Sequence, residues 1–142
     1  MNLSMFVPGV PAPQGSKRHV GRGVMIESSK ALKPWRESIR WSALSVWRGP
    51  QMLGAVAMEL EFIMPRPAST PKRSTPPAIK RPDIDKLERA VLDAIGSAGV
   101  WKDDSQVTHV VKAKRIAEIG ETPGCRIIVS DALRLLGARE SA

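Results

Sequence analysis

Cysteine and histidine are scarce in this chain. Cys125 is its only cysteine, so no disulfide can form within it, and two histidines beside one thiol leave too few ligands for a His/Cys zinc site. Cys125 sits in the apolar run Cys125-Arg126-Ile127-Ile128-Val129 and reads as a buried structural thiol. No apolar run approaches the roughly 18 residues that span a bilayer. Residues 1–10 place no basic residue ahead of their apolar ones. Neither a membrane anchor nor a signal peptide is expected, and a cytoplasmic location fits. No repeat is visible either, and one domain over residues 1–142 is the expected organisation, long enough to bury a core.

Acidic residues are also few, 14 against 22 Lys and Arg, which leaves a formal net charge of +8 and a pI near 10.3. Such a chain attracts a polyanion, and nucleic acid leads anionic membrane as the partner. The acids that are present are concentrated. Residues 83–104 hold six acidic and three basic residues, whereas residues 1–50, 51–82 and 105–142 are each net positive. Clustered carboxylates repel a polyanion unless a cation neutralises them. Basic flanks to hold phosphates and an acidic centre to hold Mg²⁺ suggest a nuclease.

Along the chain, residues 3–7 read as a short apolar strand closed by Pro8-Gly9. Residues 8–23 form a basic, Pro- and Gly-rich loop, with a short hairpin through Val24-Met25-Ile26. Ser28-Ser29 can cap a helix over 29–48, with Leu32, Trp35, Ile39, Ala43 and Val46 on its apolar face and Lys33, Arg36 and Arg40 beside them. Pro34 belongs in its first turn and Gly49-Pro50 ends it. Residues 55–64 alternate as a half-buried strand, Val56, Met58, Leu60 and Phe62 against Glu59 and Glu61. Residues 65–82 carry six prolines and five basic residues with no acid, so a regular element is excluded and a mobile arm that orders on DNA is expected. A helix then starts at Asp83, its stripe Ile84, Leu87, Val91 and Ile95 flanked by small alanines and stopped by Gly99. Strands follow at 106–116 and 125–130, and residues 131–142 read as a short helix that frays. The expected fold is α+β, a mixed sheet of about four strands packed with two main helices.

The carboxylates carry the chemistry. Asp83 can cap the helix while Asp85 occupies its first turn, so both can face one space, and Asp104 joins them if the following strand runs alongside. Three such carboxylates would hold one or two Mg²⁺ ions. Arg89, one turn beyond Asp85, would stabilise charge in the transition state. A plainer account also stands. Acids at helix starts satisfy free N–H groups, Asp103-Asp104 suits a solvated turn, and Arg89 can pair with Asp85.

The run Arg81-Pro82-Asp83-Ile84-Asp85-Lys86-Leu87-Glu88-Arg89, followed by Gly99-Val100-Trp101-Lys102-Asp103-Asp104-Ser105-Gln106-Val107, closely resembles the RusA family of Holliday junction resolvases. That family reads D-x-D-N-L-x-K, a short helix, then G-[VF]-x-x-D-D-x-Q-V. The strong match covers residues 81–114, with weaker similarity in the loop from Pro8-Gly9 to Arg18. The resemblance implies a RusA-like homodimer that cuts four-way DNA junctions with Mg²⁺, Mn²⁺ being possible, and leaves 5′-phosphate and 3′-hydroxyl ends. It implies metal binding by Asp83, Asp85 and Asp104, and a role in activity for Asp103. The family lysine falls at Arg89 and the family asparagine at Lys86, and both are departures. Arginine keeps the charge but is a poor proton donor, its pKa lying above about 12.

Candidate phosphate contacts are Lys17, Arg18 and Arg22 in the first loop, Lys72, Arg73, Lys80 and Arg81 in the arm, and Lys86, although exposed basic loops are common in any protein. The four tryptophans can stack on opened bases, but core packing suits Trp35 and Trp101 better. The expected function is resolution of branched DNA. The rivals are a non-catalytic DNA-binding relative, an enzyme of small phosphoesters, and a structural protein with acidic caps.

Overall fold

The computed structural model describes residues 2–15, 17–19, 25–27 and 30–132. Its elements are β1 (Asn2–Pro8), β2 (Lys17–His19), β3 (Met25–Glu27), α1 (Leu32–Val46), β4 (Val56–Met64), α2 (Ile84–Ser97), β5 (Val107–Ile116) and β6 (Gly124–Asp131). One mixed sheet runs β1-β6-β4-β5, with β4 and β5 parallel and the other pairs antiparallel. A parallel pair needs a crossover, and α2 supplies it. Among the described residues the fold is therefore α+β, a four-stranded mixed sheet with two helices beside the β2–β3 ribbon. No helix among the described residues is long and apolar enough to cross a membrane.

Periodicity explains the layers. Leu87, Ala90, Val91, Ala94 and Ile95 of α2 are buried, as are Leu32, Trp35, Ile39 and Ala43 of α1. Both helices cover the sheet face built by Leu3 and Val7, by Met58, Leu60 and Phe62, and by Cys125, Ile127 and Val129. Each such Leu, Ile, Val or Phe contributes roughly 1.5–3 kcal/mol by leaving water. Burial of the Cys125 thiol pushes its pKa up to about 12, which fits an inert core side chain.

Several expectations are corrected in detail. Val46 is 44% exposed, because it ends α1. Ala57 and Ile63 are buried as well as the alternating apolar residues of β4, while Glu59, between them on the same face, stays exposed, so that face is covered only toward the two ends of the strand. The ribbon in the N-terminal region pairs Lys17–His19 with Met25–Glu27, so part of the expected loop is a strand. Ser28 and Ser29 as helix cap, Val24, and the helix expected beyond Ala132 lie outside the described residues. Asp131 belongs to β6.

The proline-rich segment 65–82 makes no regular element, but it is not a loose arm. Arg66 gathers it: Nη1 donates to Thr75 Oγ1 (2.8 Å) and the Ala117 carbonyl (3.3 Å), while Nη2 donates to the Pro71 and Ser74 carbonyls (2.7 and 2.8 Å). Thr75 donates onward to Glu118 (2.7 Å), Pro77 bridges to Arg115 on β5, and Lys114 Nζ donates to the Lys80 and Pro82 carbonyls (2.8 Å each). One of its five basic residues is thus structural. Arg66→Ala strands three carbonyls and a hydroxyl. It should increase proteolytic cutting within 67–76 several-fold while the thermal transition moves only a few degrees, since the core does not include this segment.

Candidate active site

α2 begins at Asp83, whose backbone is extended as an N-cap requires, yet its side chain makes no capping hydrogen bond. The plain explanation of Asp83 as a cap therefore accounts for its position only. Its carboxylate lies 3.7 Å from Lys86 Nζ, a weak exposed pair. Asp85 follows in the first turn, exposed, with no ion pair or side-chain hydrogen bond to another described residue. Arg89 is one turn on and also exposed, and no ion pair joins it to Asp85. Asp85, Arg89 and Gly96 are separated by four and seven residues, so they share one outward strip of α2, with Asp93 at its margin.

The N-terminal loop docks onto that strip. The Gln14 backbone N–H donates to the Lys86 carbonyl (3.0 Å), and its side-chain amide donates to Asp93 and accepts from Arg36 Nη1 (3.0 Å). Gly15 follows in a left-handed conformation (φ +100°), and a Cβ there would sit 2.7 Å from Arg89 Nη1. The loop thus packs directly on the Arg89 guanidinium, and only glycine fits without moving it. Lys17 and Arg18 follow in β2, while Arg22 lies outside the described residues.

Asp103 and Asp104 have different jobs. Asp103 caps the single 3₁₀ turn Asp104–Gln106: it accepts from the Ser105 N–H (2.8 Å), and Gln106 Oε1 accepts from the Asp103 N–H (2.8 Å). The Ser105 N–H bond holds the Asp103 carboxyl below its usual pKa. Gln106 also donates to the Met52 and Gly54 carbonyls (2.8 and 3.0 Å), so this capping box ties the turn to the loop before β4. Asp104 instead leans back on α2. The Trp101 indole N–H donates to its Oδ1 (2.8 Å), and that oxygen lies 2.8 Å from where a Gly96 Cβ would be. Burial raises its pKa, the Trp101 hydrogen bond opposes this, and the Asp93 charge adds to the rise.

The expected meeting of three aspartates does not occur within one chain. From Asp85 to Gly96 is eleven residues, about 16 Å of helix rise. Asp83 and Asp85 occupy one end of α2, and Asp104 rests near the other. Among the described residues no group of three or more His, Cys, Asp or Glu side chains gathers as a metal site. Lys72, Arg73, Lys80 and Arg81 are exposed on the folded segment before α2, free to face a polyanion.

The sequence pattern of the endodeoxyribonuclease RusA family matches residues 8–130, most of the chain. The chain belongs to this family. Comparison with curated proteins gives no match. The RusA match takes in the docked loop, α1, the sheet, α2 and the Asp103–Gln106 turn, so both acidic clusters lie inside it.

The parts played around the RusA strip by Gln14, Arg36 and Gly96 escape inspection of the sequence, although Arg36 stands out there as a cation beside the apolar face of α1. Their partners are 22 to 79 positions away, or they act by having no side chain. The Asp104 environment gives a test that separates chemistry from stability. Asp104→Asn keeps an acceptor for Trp101 and removes repulsion with Asp93. Because the folded pKa is raised, the native state binds its proton more tightly than the unfolded chain does. Asp104 therefore lowers stability as pH rises through that window, and the cost is fully present at neutral pH. The variant should melt no lower than the parent at pH 7, and the gap should close below pH 4. Thermal denaturation at both pH values checks this.

Proposed function

We propose that this protein is a Mg²⁺-dependent endonuclease, with Mn²⁺ as the alternative ion, that resolves four-way Holliday junctions in the cytoplasm as a homodimer. Each subunit would hydrolyse one phosphodiester. Water adds at phosphorus and the P–O3′ bond breaks, leaving a 5′-phosphate and a 3′-hydroxyl. What carries the reading is RusA membership across residues 8–130, combined with an exposed Asp83–Asp85 pair and an Arg89 that no described carboxylate neutralises. The Arg89 guanidinium would stabilise negative charge growing on the phosphoryl oxygens, an electrostatic role that asks no proton of it. Lys17, Arg18, Lys72, Arg73, Lys80, Arg81 and Lys86 would hold phosphates, and Arg22 with them. That gives affinity a steep salt dependence, while junction shape supplies selectivity.

Among the described residues of one chain no three carboxylates gather as a cation site, so the homodimer has a second task in this reading. It must bring the Asp104 carboxylate of one copy to the Asp83–Asp85 end of the other. A two-fold axis would create two such sites, suited to a substrate that is itself roughly two-fold.

The direct experiment is cleavage of a synthetic four-way junction with Mg²⁺, beside linear duplex. Junction-selective nicking that chelation and Asp85→Asn both abolish is expected. Binding without any cleavage, over a range of Mg²⁺ and Mn²⁺, would favour the second reading, a non-catalytic DNA-binding relative. Arginine at position 89, where the family pattern has lysine, is the observation on that side.

A further inference from the structure

We infer that the outward face of α1 is a second DNA-contact surface, on which Trp41 stacks against an unpaired or unstacked base while Lys33, Arg36 and Arg40 meet the adjoining phosphates. The inference rests on the proposed function only in taking branched DNA as the ligand.

The four tryptophans are treated very differently by the fold. Trp35 is 4% and Trp101 1% exposed, as core residues should be, whereas Trp41 is 63% exposed in the middle of a helix. A large aromatic left in solvent on a rigid element is the uncommon case that calls for a partner. The Arg40 guanidinium sits 5.7 Å from the centre of the Trp41 ring and steadies it from one side. Leu44, three residues on and 38% exposed, extends the apolar platform.

The surroundings select the partner. Lys33, Arg36 and Arg40 recur at three and four residues and share the outward face with a single acid, Glu37. A flat ring among cations suits a nucleic-acid strand, whose bases stack regardless of sequence and whose backbone is anionic. It does not suit a second copy, because a two-fold contact here would press these cations toward their own equivalents. The face is also joined to the candidate active site, since Arg36 donates to Gln14, which donates to Asp93 on α2. A strand crossing α1 can therefore continue onto the strip that holds Arg89 and Asp85. Bases lose their stacking partners at a junction's branch point, which is where Trp41 would find one.

Binding in chelator tests this with cleavage silenced. Titrating a four-way junction into the parent should quench the emission of an exposed tryptophan, and Trp41→Phe should remove that component while the buried tryptophans still report a folded protein. Trp41→Ala should weaken junction binding about 5- to 150-fold, the range for losing one stacked base, and leave the salt dependence unchanged. Lys33→Ala and Arg40→Ala should each flatten the slope of log K against log salt by about 1. The inference is overturned if Trp41→Ala binds junction and single-stranded DNA as the parent does. It is equally overturned if Trp41→Ala converts a DNA-free dimer to monomer, which would make this face an interface between copies. A protein whose quench depends on Trp41 but which cleaves nothing sinks the nuclease reading and leaves this one standing.

Discussion

Asp85→Asn protein mixed with Asp104→Asn protein should cut a four-way junction that neither variant cuts alone. Each variant by itself is expected to lose about 100-fold or more in cleavage, the scale on which removal of one electrostatic group from an active site is felt. The recovery follows from the geometry. Asp104 is held on Gly96 and Trp101, some three turns of α2 from Asp85. If the working site joins one copy's Asp83–Asp85 end to the other's Asp104, a mixed dimer has one site carrying both substitutions and one carrying neither. With free subunit exchange about half the dimers are mixed, so about a quarter of the parental sites return. The product should be single nicks, because only one site per dimer works. If subunits demonstrably exchange and nothing is recovered, the shared site is wrong. Arg89→Lys belongs beside this experiment. An unchanged rate assigns the cation at position 89 to electrostatic support, and a large gain assigns it to proton transfer, which arginine performs poorly.

The fold was legible wherever local periodicity met burial. Leu87, Val91 and Ile95 announce α2 by their spacing, and Trp35 and Ile39 announce α1, because a one-sided helix must repeat its apolar residues every turn. Positions of the acidic residues were legible for the same reason, as Asp83 and Asp104 flank elements whose ends are marked. Their bonding was not. Asp83 stands at an N-cap without capping, while Asp103 and Gln106 form a true box. The two differ in the hydrogen-bond partners that their surroundings offer, not in residue type. Convergence of Asp104 with Asp85 failed as an expectation because it required only that β5 run beside α2, and the indole of Trp101 and the bare face of Gly96 decide where the carboxylate goes. Arg66 shows the same limit. In sequence it is one more cation in a basic stretch, but it is the hub of that stretch because Pro71, Ser74 and Thr75 turn their oxygens toward it.

The largest stability effect is expected from one added methyl group, in Gly124→Ala. Gly124 opens β6 and lies between Pro8 of β1 and Ile63 of β4. A Cβ there would sit 2.3 Å from the Val7 carbonyl oxygen, and 2.7 and 2.9 Å from two carbons of the Phe6 ring. The ring can swing aside, since Phe6 is partly exposed, but the carbonyl cannot. It belongs to the ladder that ties β1 into the sheet, and moving it withdraws Val7, with Leu3 behind it, from contact with the helices. Overpacking of this kind typically costs about 1–3 kcal/mol, and the backbone origin of the clash puts this case at about 3. For a chain of this length that is a fall of about 10 °C in Tm. Gly54→Ala is the matched control, with no atom within 4 Å of the new methyl group and no left-handed backbone to strain. It should melt at or slightly above the parent temperature, because alanine lowers the entropy of the unfolded chain. Equal melting of the two variants would mean that β1 can shift away from β6 at little cost, and the edge of the sheet would then be softer than its contact with Gly124 implies.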